Sequence, residues 1–227
     1  MTSPTLLAVS HGTDDVAGSR DVAALVAALA DALPDVEVRQ AFVDVQQPDA
    51  AELAPTIDGP LVIVPLLLSH GFHVHHDLHG IARTRPDTEI AAPMGPDARL
   101  ADVLAARLPD GDRPVVLTVA GSRDPQSVAD AEGMAELLSA RLGREAHLAY
   151  LAAREPSLPA ALADHPDAAV STYLLAHGFF FDLATRQAGA HALASPLLDG
   201  GEVPAELVDL LVDRYRSAAE RLGAPRE

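Results

Sequence analysis

The chain is written twice. Its two halves line up at an offset of about 108 residues, the mark of a duplicated folding unit. Ser10-His11-Gly12-Thr13 falls on Val119-Ala120-Gly121-Ser122. Phe42-Val43-Asp44 with Pro48 falls on Tyr150-Leu151-Ala152 with Pro156. Leu68-Ser69-His70-Gly71-Phe72-His73 falls on Leu175-Ala176-His177-Gly178-Phe179-Phe180. The glycines, the proline and the His-Gly pair keep their places, and such residues serve backbone geometry. The turn cluster Pro109-Asp110-Gly111-Asp112 marks the seam, so the expected halves are residues 1–111 and 112–227.

Within each half, strand and helix patterns alternate. Residues 5–9, 36–43, 61–68 and 89–92 read as strands, the third an apolar run buried on both faces with Pro65 inside it. Val22, Leu25, Val26 and Leu29 recur at helical spacing in a helix over 16–33, stopped by Pro34; another covers 97–108, and short ones follow Pro48 and the histidine-rich segment. The second half repeats the pattern, with strands at 114–119, 146–150, 168–175 and 191–194 and helices over 127–142, after Pro156, after Phe181 and over 204–222. The expectation is an α/β fold of two similar halves, each a parallel four-stranded sheet with right-handed crossovers to its flanking helices.

Composition narrows the chemistry. There is no Cys, which removes disulfides, thiolate ligands and Cys nucleophiles, so a metal would have to use imidazole and carboxylate. The formal net charge is −17 and every basic residue is Arg, a balance that disfavours nucleic acid and repels a polyanion away from local Arg clusters. No apolar segment approaches ~20 residues, and the N-terminus lacks the pattern of a signal peptide, so no membrane partner and a cytoplasmic location are expected.

Five of the ten histidines, His70, His73, His75, His76 and His79, sit just past the third strand. That is where open α/β sheets place their ligands. The repeat singles out three positions there and at the neighbouring strand ends. His11 becomes Ala120, Asp44 becomes Ala152, and His73 becomes Phe180, each change removing a potential metal ligand. His70 has a counterpart in His177, in the half that lost the others, which favours a structural role for it. The pattern describes one half with the chemistry and one that kept only the shape.

These motifs resemble the sirohydrochlorin chelatases, cobalt or iron type, of the class II chelatase superfamily, in the long two-half form. Ser10-His11-Gly12, Phe42-Val43-Asp44, and Pro65-Leu66-Leu67-Leu68 followed by Gly71-Phe72-His73-Val74 and Asp77-Leu78 carry the resemblance, in order, each at a strand end. It implies chelatase-like (flavodoxin-like) halves with a cleft between them. It also implies an enzyme that inserts Fe2+ or Co2+ into sirohydrochlorin, for sirohaem or cobalamin biosynthesis, with no tightly bound cofactor. His11 and His73 would bind the metal co-substrate, and Asp44 would assist where many relatives carry Glu. Ser10, Gly12, Phe72, Arg123 and Phe180 are the candidate contacts to sirohydrochlorin or a related anionic tetrapyrrole, its carboxylates suiting Arg forks and its faces suiting apolar rings. Two other readings are a His-rich metallochaperone and a non-catalytic tetrapyrrole carrier. Monomer and homodimer are both compatible with the sequence.

Overall fold

The computed structural model describes residues 3–71 and 78–223. β1 (Thr5–Ser10) is buried at every position. A strand of that kind needs a neighbour on each edge and an apolar layer on each face. β2 (Val38–Phe42) and β3 (Leu61–Pro65) pair with it in parallel, and β4 (Thr88–Ile90) completes the order β2-β1-β3-β4. In the second half β5 (Val115–Val119) lies between β6 (Ala146–Tyr150) and β7 (Ala169–Tyr173), again in parallel. Leu6 faces Val38 and Thr5 faces Leu61, while Val115 faces both Ala146 and Ala169.

Eight α-helices and a short 3-10 helix (Ala54–Thr56) complete the described elements: α1 (Val16–Ala32), α2 (Ala50–Leu53), α3 (His79–Thr84), α4 (Ala98–Arg107), α5 (Pro125–Leu142), α6 (Leu158–Asp164), α7 (Phe179–Ala188) and α8 (Ala205–Gly223). The two long helices that follow β1 and β5 start alike. Asp15 caps α1 by accepting from Gly18 N at 2.7 Å, and Asp124 caps α5 by accepting from Gln126 N at 2.8 Å. Alternate strand residues feed different layers, as the period of two requires. Leu6, Ala8, Val62, Val64, Val115, Leu117 and Val119 join one central core to which both halves contribute. Leu7, Val9, Leu61 and Ile63 face an outer core with Leu78 and Ile81, and Val116 and Val170 face the matching outer core of the second half.

The closing helix of each half packs across the seam. α4 lies against α5 and β7, and α8 lies against α1, β3 and β4. Tyr215 on α8 donates to Pro4 O at 2.7 Å, Arg221 reaches Glu89 at 2.7 Å, and Arg214 donates to Pro93 O at 3.0 Å.

Two expectations need correction. Among the described residues the second sheet has three strands, not four. The segment at 191–194 makes a single bridge, Val170 to Leu193, closed by Val170 N to Ala192 O at 2.7 Å and Ala194 N to Val170 O at 2.8 Å. Pro196 stands where the next ladder donor would fall and has no N–H. The Thr172 hydroxyl also donates to Ala194 O at 3.0 Å, occupying the last carbonyl of the bridge. The third strand ends at Pro65 and not at Leu68. Leu67 O and Leu68 O instead accept from Met94 N at 2.8 Å and from the Tyr173 hydroxyl at 2.9 Å, the second bond crossing the seam.

Candidate functional site

The first site turn is built by backbone. Beyond β1 and β2 the chain continues side by side: Val43 N donates to Ser10 O at 3.0 Å, and Asp44 N to His11 O at 3.1 Å. Gly12 has φ +95°, and a Cβ there would lie 2.4 Å from Asp44 O, so only glycine lets the two turns touch. Gln46 braces the arrangement, accepting from Thr13 N at 3.0 Å and donating to Ser19 Oγ at 2.9 Å. His11 and Asp44 are both exposed, and they sit on adjoining backbone. The Asp44 carboxylate accepts from Val45 N at 2.8 Å. Ser10 is buried, and its hydroxyl has no partner among the described residues.

The second half copies this turn in detail. Leu151 N donates to Val119 O at 2.9 Å and Ala152 N to Ala120 O at 3.1 Å. A Cβ on Gly121, φ +91°, would lie 2.0 Å from Ala152 O. Val45 and Ala153 both hold positive φ, and Gln47-Pro48 and Glu155-Pro156 are both cis. The scaffold is the same and the side chains are not. Ala120 and Phe180, at the places of His11 and His73, both pack against the outer core of the second half.

The segments after the third strand of each half cross the seam. The segment after β3 meets α5, and the segment after β7 meets α1. His70 donates its backbone N–H to Asp130 at 2.7 Å, and its ring Nδ1 lies 2.9 Å from the same carboxylate. Ser69 Oγ and Ser127 Oγ are 3.4 Å apart. On the pseudo-symmetric side His177 faces Asp21, but at 3.9 Å, an ion-pair distance too long for a hydrogen bond. There Gly18 admits the chain directly: a Cβ on it would lie 2.1 Å from His177 O.

Of the residues singled out from sequence, Ser10, His11, Gly12 and Asp44 are brought together. Arg123 lies on the matching turn of the second half, exposed, at the place of Asp14. Phe180 is half-buried on the first turn of α7, edge-on to the exposed Phe179 at 5.3 Å between ring centres. His73, Phe72, His75, His76 and Asp77 lie outside the described residues. Among the described residues no group of three or more His, Asp or Glu is placed to hold a metal ion, and no helix is long and apolar enough to cross a membrane.

Two residues escaped the sequence reading. Asp130 anchors His70, and its repeat partner Asp21 sits at the same place on α1. Arg154 occupies the place of Gln46 and donates to Ser122 O at 2.6 Å and Arg123 O at 2.8 Å. The alignment of the halves held both signals, since it pairs Asp21 with Asp130 and Gln46 with Arg154.

The CbiX family model matches residues 5–110 and 114–187, most of both halves. The chain belongs to the CbiX family. Its fold is also that of solved CbiX-like structures. SirB from Bacillus subtilis with Fe3+ aligns at TM-score 0.78 and 21% identity over 96% of each chain. A second SirB, from Bacillus subtilis subspecies spizizenii in complex with cobalt, aligns at TM-score 0.77 and 21% identity, again over 96% of each chain. A CbiX described as the terminal enzyme of sirohaem biosynthesis in denitrifying bacteria aligns at TM-score 0.69 and 22% identity, over 92% of this chain and 98% of that one. A search among curated proteins finds no match. Such identities bear on the fold, and they place this CbiX-family chain in the two-half form.

Proposed function

We propose that this CbiX-family protein is a sirohydrochlorin chelatase, inserting Fe2+ or Co2+ into the metal-free ring. One observation carries the reading. The backbone joins the His11 and Asp44 turns at the mouth of one sheet, and an equally well-formed copy of that turn carries Ala120 and Ala152. A scaffold kept twice with ligands in one copy is what a single-site metal donor needs, with the blank copy left to hold the organic substrate.

Insertion exchanges one divalent cation for two pyrrole protons, so the site must bind a cation loosely and accept protons. Imidazole and carboxylate suit Fe2+ and Co2+, whereas soft thiolates favour Cu(I), Zn2+ and iron–sulfur clusters. In this reading His11 and His73 hold the incoming metal with positions left for pyrrole nitrogen. Asp44, on backbone adjoining His11, takes a leaving proton or steadies the cation. Metal and tetrapyrrole are both substrates here, and the protein's part is to bring them face to face.

The test is a single-turnover absorbance assay with metal-free sirohydrochlorin and Co2+. Wild-type protein is expected to convert the ring spectrum, and His11→Ala to slow conversion by about 100-fold or more, the scale seen on losing groups that govern metal binding. Wild-type rates in His11→Ala would sink the proposal. A ring shift that is indifferent to metal would favour the carrier reading.

A further inference from the structure

The two copies of the strand-end turn differ in charge as well as in ligands. At positions 14, 15, 44, 46, 47 and 49 the first half carries four carboxylates and no cation. Their counterparts at 123, 124, 152, 154, 155 and 157 carry two guanidiniums and two carboxylates. Carboxylates of both copies make local main-chain bonds, Asp15, Asp44 and Asp49 in the first and Asp124 and Glu155 in the second, so the copies differ in the balance of charge. Both hydrogen bonds of Arg154 go to main-chain carbonyls, Ser122 O and Arg123 O, which leaves its charge without a carboxylate among the described residues.

A bland account is available: Arg154 braces its turn. The first half fills the same place with a neutral side chain. Gln46, at the same place, ties the equivalent turn through Thr13 N and Ser19 Oγ with a neutral amide. The second half has Val128 where α1 has Ser19, so Arg154 braces its turn differently, with two of its five N–H groups, and its charge and the other three exceed what the brace uses. Arg154 holds the main-chain carbonyl of Arg123, whose own side chain is exposed, so both guanidiniums belong to the same pair of adjoining turns. Two adjacent forks of this kind match a carboxylate in geometry and charge.

Resting on the chelatase reading, we infer that Arg154, with Arg123 beside it, is the carboxylate-binding side of the substrate site and sets its preference for an acidic tetrapyrrole. The substrate site is then electrically polar. Asp14, Asp15 and Asp44 make the first wall attractive to a divalent cation and repellent to ring carboxylates. The second wall is the complement. The ring is held by its rim against the second half, with its nitrogens turned to the half that carries His11.

The test exchanges residues between the two copies. Arg154→Gln puts the first half's own residue into the second half, removing the charge while leaving an amide within the turn, and its Tm reports what the lost main-chain bonds cost. Equilibrium titration of metal-free sirohydrochlorin, followed by absorbance, is expected to show Kd raised about tenfold or more, the scale of one charge-assisted hydrogen bond. KM for sirohydrochlorin should rise in step, with kcat for Co2+ insertion within about twofold of wild type, as for a lost binding contact. The effect should shrink at high salt. Arg154→Lys keeps the charge without the fork and should fall between wild type and Arg154→Gln. Wild-type Kd in a folded Arg154→Gln overturns the inference. So does an Arg154→Lys as weak as Arg154→Gln with an equal drop in Tm, which would make the brace the whole role. If wild-type protein neither binds nor metallates sirohydrochlorin, the chelatase reading itself fails. If wild type does both and Arg154→Gln is unchanged, only this inference fails.

Discussion

Removing Asp130 should cost far more than removing its repeat partner Asp21, although the two sit at the same place on equivalent helices. Asp130 is 4% exposed and Asp21 5%, so burial does not separate them. Their partners do. The Asp130 carboxylate accepts from His70 N at 2.7 Å and Gln126 Nε2 at 3.2 Å, and lies 2.9 Å from His70 Nδ1. Hydrogen bonds to a charged group are each worth about 1.5–3 kcal/mol, part of which is offset by no longer burying a carboxylate. Asp130→Ala should therefore lose about 2–3 kcal/mol and leave a main-chain N–H at the seam without its acceptor. Asp21 has a side-chain partner in Arg20 at 3.1 Å, but that side chain is 68% exposed, and His177 stays at 3.9 Å. An exposed pair contributes little, so Asp21→Ala should cost less than about 1 kcal/mol. Urea unfolding followed by circular dichroism measures both, with unchanged m-values showing that the compared transitions are alike. For a chain of this size the Asp130 variant should melt about 4–12 °C lower. An Asp21→Ala loss equal to or larger than that of Asp130→Ala would refute the argument that these bonds, and not burial alone, secure the seam.

Three further outcomes are expected. Gly12→Ala and Gly121→Ala should each lose about 1–3 kcal/mol of stability, since each Cβ meets a main-chain carbonyl at positive φ; of the two, Gly12→Ala alone should abolish Co2+ insertion at a temperature where both remain folded. Tyr173→Phe removes the donor to Leu68 O, a bond of 2.9 Å across the seam, and should cost about 1–2 kcal/mol by chemical unfolding. Burial pushes the Asp97 carboxyl up, but hydrogen bonds from the Arg99 side chain and backbone, with the charges of Arg99 and Arg214, outweigh it and hold the group below its ordinary range. A depressed carboxylate stabilises the fold above its unfolded pKa, and that contribution is lost as pH falls through the folded value, here below about pH 4. Asp97→Asn should flatten the acid limb of a stability-against-pH curve, and an unchanged limb would count against the account.

Much of the chain could be read without coordinates, because the signals were local. The strands β1 and β5, the helices α1 and α5, and the turn at Gly12 follow from apolar runs, helical spacing and glycines that recur in both halves. The repeat exposed the asymmetry of His11 and Asp44 against Ala120 and Ala152, since it compares two solutions to one folding problem within a single sequence. The fourth strand of the second half failed for a reason that apolar patterning does not register: a ladder needs a donor at every second residue, and Pro196 supplies none.

What the sequence alone determined, then, was the unit and its duplication, because periodicity and turns are properties of neighbours along the chain. What only the tertiary structure decided was how the units meet. Helical periodicity says that α4 and α8 must each bury a face, but any apolar sheet would satisfy that demand, and it took packing to seat each on the other half. The same holds for Asp130 under His70 and for Arg154 under Arg123: their partners lie 60 and 31 residues away, and a hydrogen bond between distant residues exists only once the fold has brought its two ends together.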